Sequence, residues 1–171
     1  MVLAGLVMHL FALQDTSENR AELTDRLMRT YPIQDWWVNA ERTIQRNMQN
    51  VPNNQRAPMR ALVISVLRHM NWDVIGQAMR QAMIEIYSAD KLQAMIVANS
   101  SPVGRSFIRN WGLYQSTENL KAAEGLFSSP IGQSIRRKQR IFISKIEPVY
   151  KQEALKAIAI VVQEASSNRS Q

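Results

Sequence analysis

A serine-proline pair occurs twice in this chain, 28 residues apart, inside two stretches that align without a gap. Residues 88–110 and 116–138 are identical at nine of 23 aligned positions, whereas ordinary composition would give about one or two identities. The identities that constrain the backbone most are Ser101 with Ser129, Pro102 with Pro130 and Gly104 with Gly132. The alignment indicates an internal duplication or one structural demand that is met twice.

Each serine-proline pair predicts a corner between two helices. The residue before a proline is disfavoured in the α conformation, so the preceding helix must end there. Serine is a preferred N-cap and proline fits the first helical position, so a new helix should begin at once. Glycine costs a helix about 1 kcal/mol relative to alanine, so we expect another backbone to approach closely at Gly104 and Gly132. The two copies are therefore predicted to form successive αα-hairpins that pack on each other through their glycine-bearing helices.

Helical periodicity continues over most of the remaining sequence, with almost no alternation of strand type. We predict one all-α domain over residues 15–165, a single bundle of about seven to nine helices that contains the duplicated helix-turn-helix element. A tail at residues 166–171 should fray. Residues 51–58 hold two prolines and two asparagines and predict a loop. Asn71 and Ser88 are expected N-caps.

The two ends of the chain leave alternatives open. Residues 1–14 contain no charged side chain, and they are either a signal-peptide remnant or a buried first helix. Pro148 either starts a further helix or lies inside a continuous one. Residues 149–165 are apolar around much of a helical circumference, so this segment should be largely buried or paired with another subunit. No apolar stretch approaches the length of about 18 residues that a membrane span requires.

The motifs at the two corners carry a resemblance. YSADKL leads to ANSSPVGRS in the first copy and QSTENL leads to LFSSPIGQS in the second, with a leucine ten residues before the proline in both. This pattern resembles the bacterial domain-of-unknown-function family numbered 2059. Several positions depart from the family pattern. Its capping-box glutamate is Lys91 or Asn119 here, and its lysine is Ser106 or Ser134. Its aromatic pair is Ala98 and Asn99 in the first copy and Leu126 and Phe127 in the second. The resemblance implies an all-α fold and an exported, periplasmic location rather than an activity.

Catalytic and metal-binding constellations are missing from the sequence. The chain has no cysteine, which excludes disulfides, thiolate zinc sites and cysteine nucleophiles. His9 and His69 are its only histidines and are too far apart to form a helical metal pair. Phosphate-binding glycine loops and the G-x-S-x-G elbow are absent, so we predict no catalytic residue, no cofactor and no metal. A hydrolase that uses His69, oriented by Asp73, is the third-ranked hypothesis.

Charge and aromatic residues suggest two candidate surfaces. The net charge of +7 favours anionic partners. Arg136, Arg137, Lys138 and Arg140 form the densest basic cluster, which we interpret as a solvated helix face, with an anion-binding site as the alternative. Trp36 falls off the apolar stripe of its predicted helix and marks a candidate interface.

Two further function hypotheses follow from these observations. The first is a non-enzymatic envelope or periplasmic helical domain with an interaction or structural role, whose partner is an unknown protein or a second copy. The alternative is a basic helical module that binds anionic polymers, namely lipid headgroups, glycans or, least favoured, nucleic acid. A cytoplasmic location is the alternative to export.

Overall fold

The computed structural model describes residues 14–30, 48, 51–102, 104–105, 124–125 and 128–167. Within these residues the protein is all-helical and has no strand, as predicted. Five helices are described, namely α1 (Ser17–Thr30), α2 (Asn53–His69), α3 (Trp72–Ile86), α4 (Ala89–Ser100) and α5 (Pro130–Ser167). The expected seven to nine helices and the duplicated hairpin are not seen in these residues. Residues 106–123, which would complete both hairpins, lie outside them, as do residues 1–13 and Trp36.

Two prolines stand inside helices. Pro148 lies within the continuous α5, so it does not begin a further helix. The loop expected at residues 51–58 is wrong, because α2 begins at Asn53 and contains Pro58. Residues 52–62 are all exposed, so water can satisfy the carbonyl that Pro58 leaves without a donor.

The N-caps of α3 and α4 are made differently. At α3 the backbone N–H of Val74 donates to Asn71 Oδ1 at 3.2 Å, which confirms Asn71 as the N-cap. Ser88 precedes α4 in an extended conformation, but its side chain makes no cap hydrogen bond. The N–H of Ala89 donates instead to Asp15 Oδ1 at 2.9 Å, so a residue two positions before α1 anchors the start of α4.

The core consists of two apolar clusters that α5 joins. The first cluster unites α1, α3 and α4 through buried residues that include Leu23, Leu27, Ile86, Leu92 and Ile96. The second unites α2, α3 and α5 through Leu67, Met70, Ile75, Met79 and Ala157. Phe142 and Ile146 of α5 pack against both clusters. Every described helix therefore contributes to at least one of the two clusters, and α3 and α5 contribute to both.

Ion pairs cross between helices at the edges of these clusters. Arg80 of α3 donates to both carboxylate oxygens of Asp25 in α1, at 2.6 and 3.0 Å, and this contact lowers the pKa of Asp25. Lys145 of α5 donates to Glu85 of α3 at 2.5 Å and lowers the pKa of that carboxyl. Among the described helices, none combines the length and apolarity that crossing a membrane requires.

Candidate functional site

The two serine-proline corners have the same hydrogen bonds. At the first, Ser101 has extended backbone angles and its Oγ accepts from the N–H of Gly104 at 2.9 Å. At the second, Ser129 Oγ accepts from the N–H of Gly132 at 3.1 Å. Each serine carbonyl also accepts the first helical hydrogen bond of the next segment, at 2.9 Å in both cases. Both serines thus act as N-caps, with Pro102 and Pro130 at the first helical position.

The backbone that approaches Gly104 belongs to the preceding helix. A Cβ placed on Gly104 would lie 1.9 Å from the carbonyl oxygen of Ala98 and 2.9 Å from Cα of Asn99. The close approach is therefore made across the corner by the end of α4. The three atoms nearest to this position thus belong to the same copy, and packing of the two glycine-bearing helices on each other stays a prediction. Gly132 is buried in the first turn of α5.

Both corners open onto one groove of about 640 Å³. One wall is the face of α4 that carries Ala94, and the other is the first turns of α5, with Ile131 and Ile135. Ser101 and Ser129 both line this groove, so the two corners lie close together in space. Among the lining residues only Asp90 ionises, and a hydrogen bond from the Ser88 hydroxyl lowers its pKa. One carboxylate without a second acid or base is not an acid-base pair.

The structure separates Lys138 from the three arginines of the basic cluster. Lys138 Nζ donates to the carbonyl oxygen of Ile86 at 2.6 Å, at the C-terminal end of α3. A helix C-terminus carries partial negative charge, so this ammonium stabilises α3. Arg136, Arg137 and Arg140 are exposed and fall within a sector of about 100° on α5. The four expected cations therefore do not form one site.

His69 is held by two acceptors of its own chain. Its Nδ1 donates to the carbonyl oxygen of Ser65 at 2.9 Å, and its Nε2 lies 3.3 Å from Glu164 Oε1. The expected partner Asp73 is wrong, because the carboxylate beside the ring comes from α5. No cluster of three metal-binding side chains occurs in the part of the chain that the structure describes.

The C-terminal half of α5 has an apolar outer face that sequence reasoning did not locate. Leu155, Ile158 and Val162 are 67%, 45% and 57% exposed. Their spacing of three and four residues places them on one side of a helix. Glu153 and Ala157, on the other side, are buried. The sequence predicted that this segment is buried or paired. Burial within the described chain accounts for Glu153 and Ala157, but not for these three side chains or for Ile160, which is 41% exposed.

Comparison with known proteins adds no relative from which a function can be transferred. No protein family, curated protein or solved structure was found that matches this chain.

Proposed function

We propose that this chain is a non-enzymatic helical interaction domain of the bacterial envelope, and that its contact surface is the outer face of α5. We define this face as Leu155, Ile158, Val162 and Ala165, all of which are exposed. The exposure of three large aliphatic side chains in a row is the observation that supports the proposal. Contiguous exposed apolar surface of this kind marks interaction sites in soluble proteins. The envelope location rests on the family resemblance.

Other features favour binding over catalysis. The groove between the corners offers one ionisable side chain, Asp90. His69 is engaged by Ser65 and Glu164. An anion-binding role has weaker support, because Lys138 is used to stabilise the end of α3.

The experiment that tests this function is site-specific photo-crosslinking in intact bacteria, followed by cell fractionation. A benzophenone amino acid is placed at Leu155 or at Val162, and at exposed Gln77 of α3 as the control. We expect covalent protein adducts from the two α5 positions, recovered with the periplasmic fraction, and none from Gln77. Absence of adducts at both α5 positions, or equal adducts at Gln77, contradicts an interaction role for this face.

A further inference from the structure

The geometry points to a second copy of this chain as the occupant of the outer face, with two α5 helices packed antiparallel about a two-fold axis. This inference rests on the proposed function, because it names the partner of the same face. An isologous interface needs a surface that is complementary to itself. A straight apolar seam on a helix meets that condition.

The spacing of the outer face is that of a coiled-coil seam. Leu155, Ile158, Val162 and Ala165 follow one another at intervals of three, four and three residues, which are the a and d positions of two heptads. The positions that flank such a seam carry no charge in this segment, since they are Gln152, Ala154, Ala159 and Val161. Two copies can therefore approach without bringing like charges together.

The charges near the seam are already engaged within each chain. Lys156 Nζ lies 2.6 Å from Glu153 Oε1, and Glu164 Oε1 lies 3.3 Å from His69 Nε2. Lys151 stands just before the seam and contacts Glu147 at 2.7 Å on its own helix. Antiparallel packing sets Leu155 of one copy against Ala165 of the other and Ile158 against Val162, so each layer of the seam pairs a larger side chain with a smaller one.

The length of the seam limits the affinity that we expect for the dimer. Eleven residues of helix span about 16 Å, which is short for an interface that typically buries about 800 Å² on each partner. We therefore expect a reversible dimer that dissociates on dilution. Its affinity should depend strongly on each of the three large side chains.

The test measures molar mass in solution by sedimentation over a wide concentration range. The chain should rise from 19.6 kDa toward twice that value as concentration increases. Ile158→Glu should remain monomeric at every concentration, because it puts a carboxylate into the seam of both copies. Gln163→Glu adds the same charge beside the seam, and this matched control should associate like the native chain. Far-UV circular dichroism checks that each variant is folded.

Charge-swap mixing tests the orientation. Antiparallel packing places Ile158 of one copy against Val162 of the other, so Ile158→Glu mixed with Val162→Lys should form a mixed dimer that neither variant forms alone. A native chain that stays at 19.6 kDa, or an Ile158→Glu chain that associates normally, overturns the inference. If the in-cell adducts contain a different protein, the interaction role stands and self-pairing fails. If no adducts form, both fail.

Discussion

Gly104 and Gly125 are both helical, but the structure gives them opposite surroundings. The Cβ position of Gly104 is filled by the backbone of Ala98 and Asn99, whereas a Cβ on Gly125 would meet nothing within 4 Å. The first glycine is required by a contact and the second is not. The two positions therefore form an internal pair for testing the corner geometry.

We predict that Gly104→Ala and Gly125→Ala change stability in opposite directions. Gly104→Ala forces the corner apart and should cost about 1–3 kcal/mol of unfolding free energy, the usual range for overpacking. Gly125→Ala restores helix propensity and should add about 0.5–1 kcal/mol. Urea denaturation followed by circular dichroism measures both. A Gly104→Ala chain as stable as the native one would mean that α4 does not approach this glycine.

Contacts between single residues differ in how well a sequence can predict them. The caps at Asn71, Ser101 and Ser129 join atoms only three residues apart, and residue type and spacing predicted them. The same reasoning failed at Ser88, whose side chain makes no cap hydrogen bond. The hydrogen bond from Ala89 to Asp15 joins residues 74 apart. Contacts of that kind depend on how the helices pack, and no local pattern predicts them.

At the scale of helices, the contact between Asp25 and Arg80 ties α1 to α3. It is bidentate, at 2.6 and 3.0 Å, and both side chains remain about two-fifths exposed. Solvent screening limits the contribution of such a pair to about 0.2–1 kcal/mol. Because the pair lowers the pKa of Asp25, this contribution depends on pH.

We predict that Asp25→Asn loses stability at pH 7 but not in acid. The pKa of Asp25 in the folded chain lies below its ordinary value of 3.8, so the ionised carboxylate stabilises the fold above that value. This stabilisation is lost as the pH falls through the folded pKa. Unfolding free energies of the native and variant chains should therefore converge once the pH has fallen below the folded pKa of Asp25. Glu22→Gln, at an exposed position on the same helix, is the charge control, and a constant gap at all pH values contradicts the prediction.

Helix boundaries were less predictable than helix type. Pro58 was part of a predicted loop, and Pro148 was expected either to start a further helix or to lie inside a continuous one; both lie inside helices. Both are exposed, so the unpaired carbonyl four residues earlier can bind water instead of a backbone donor. The penalty for proline is then small enough for the neighbouring helical turns to outweigh it.

At the scale of the molecule, Phe142 and Ile146 unite the two apolar clusters. Phe142 also contacts Tyr87 of the first cluster, with ring centroids 6.1 Å apart. Both clusters depend on the same stretch of α5. We therefore expect the described helices to unfold together rather than cluster by cluster.

We predict that Phe142→Ala destabilises both clusters at once. The substitution should cost about 3 kcal/mol, at the lower end of the range for Phe to Ala in a core, because the side chain is only partly buried. Hydrogen exchange measures the effect by site, and amides of α1 and α2 should lose protection equally. Ile143→Ala, which trims a side chain of the same helix that is 51% exposed and lies outside the seam, is the control and should change little. Loss of protection in one helix alone would show that the clusters are independent.

The sequence predicted the apolar segment that contains the candidate contact surface, but not which of its sides is exposed. The sequence showed that residues 149–165 are apolar on more than one side, and it left burial and pairing as alternatives. Which side of α5 faces α2 is decided by the contacts of Ala157 with residues such as Leu67, far away in the chain. Only after that side is assigned can the outer face be recognised as the one that the other described helices leave exposed.

The position of α5 after the other four helices affects how the chain is made. Ribosomes deliver a polypeptide from its N-terminus, so α1 to α4 emerge before Phe142, Ile146 and Ala157 exist to pack against them. Until that stretch leaves the exit tunnel, the nascent chain holds two incomplete apolar layers in water. Such intermediates are prone to aggregate, so the chain is expected to be most prone to aggregation before Phe142, Ile146 and Ala157 have been synthesised.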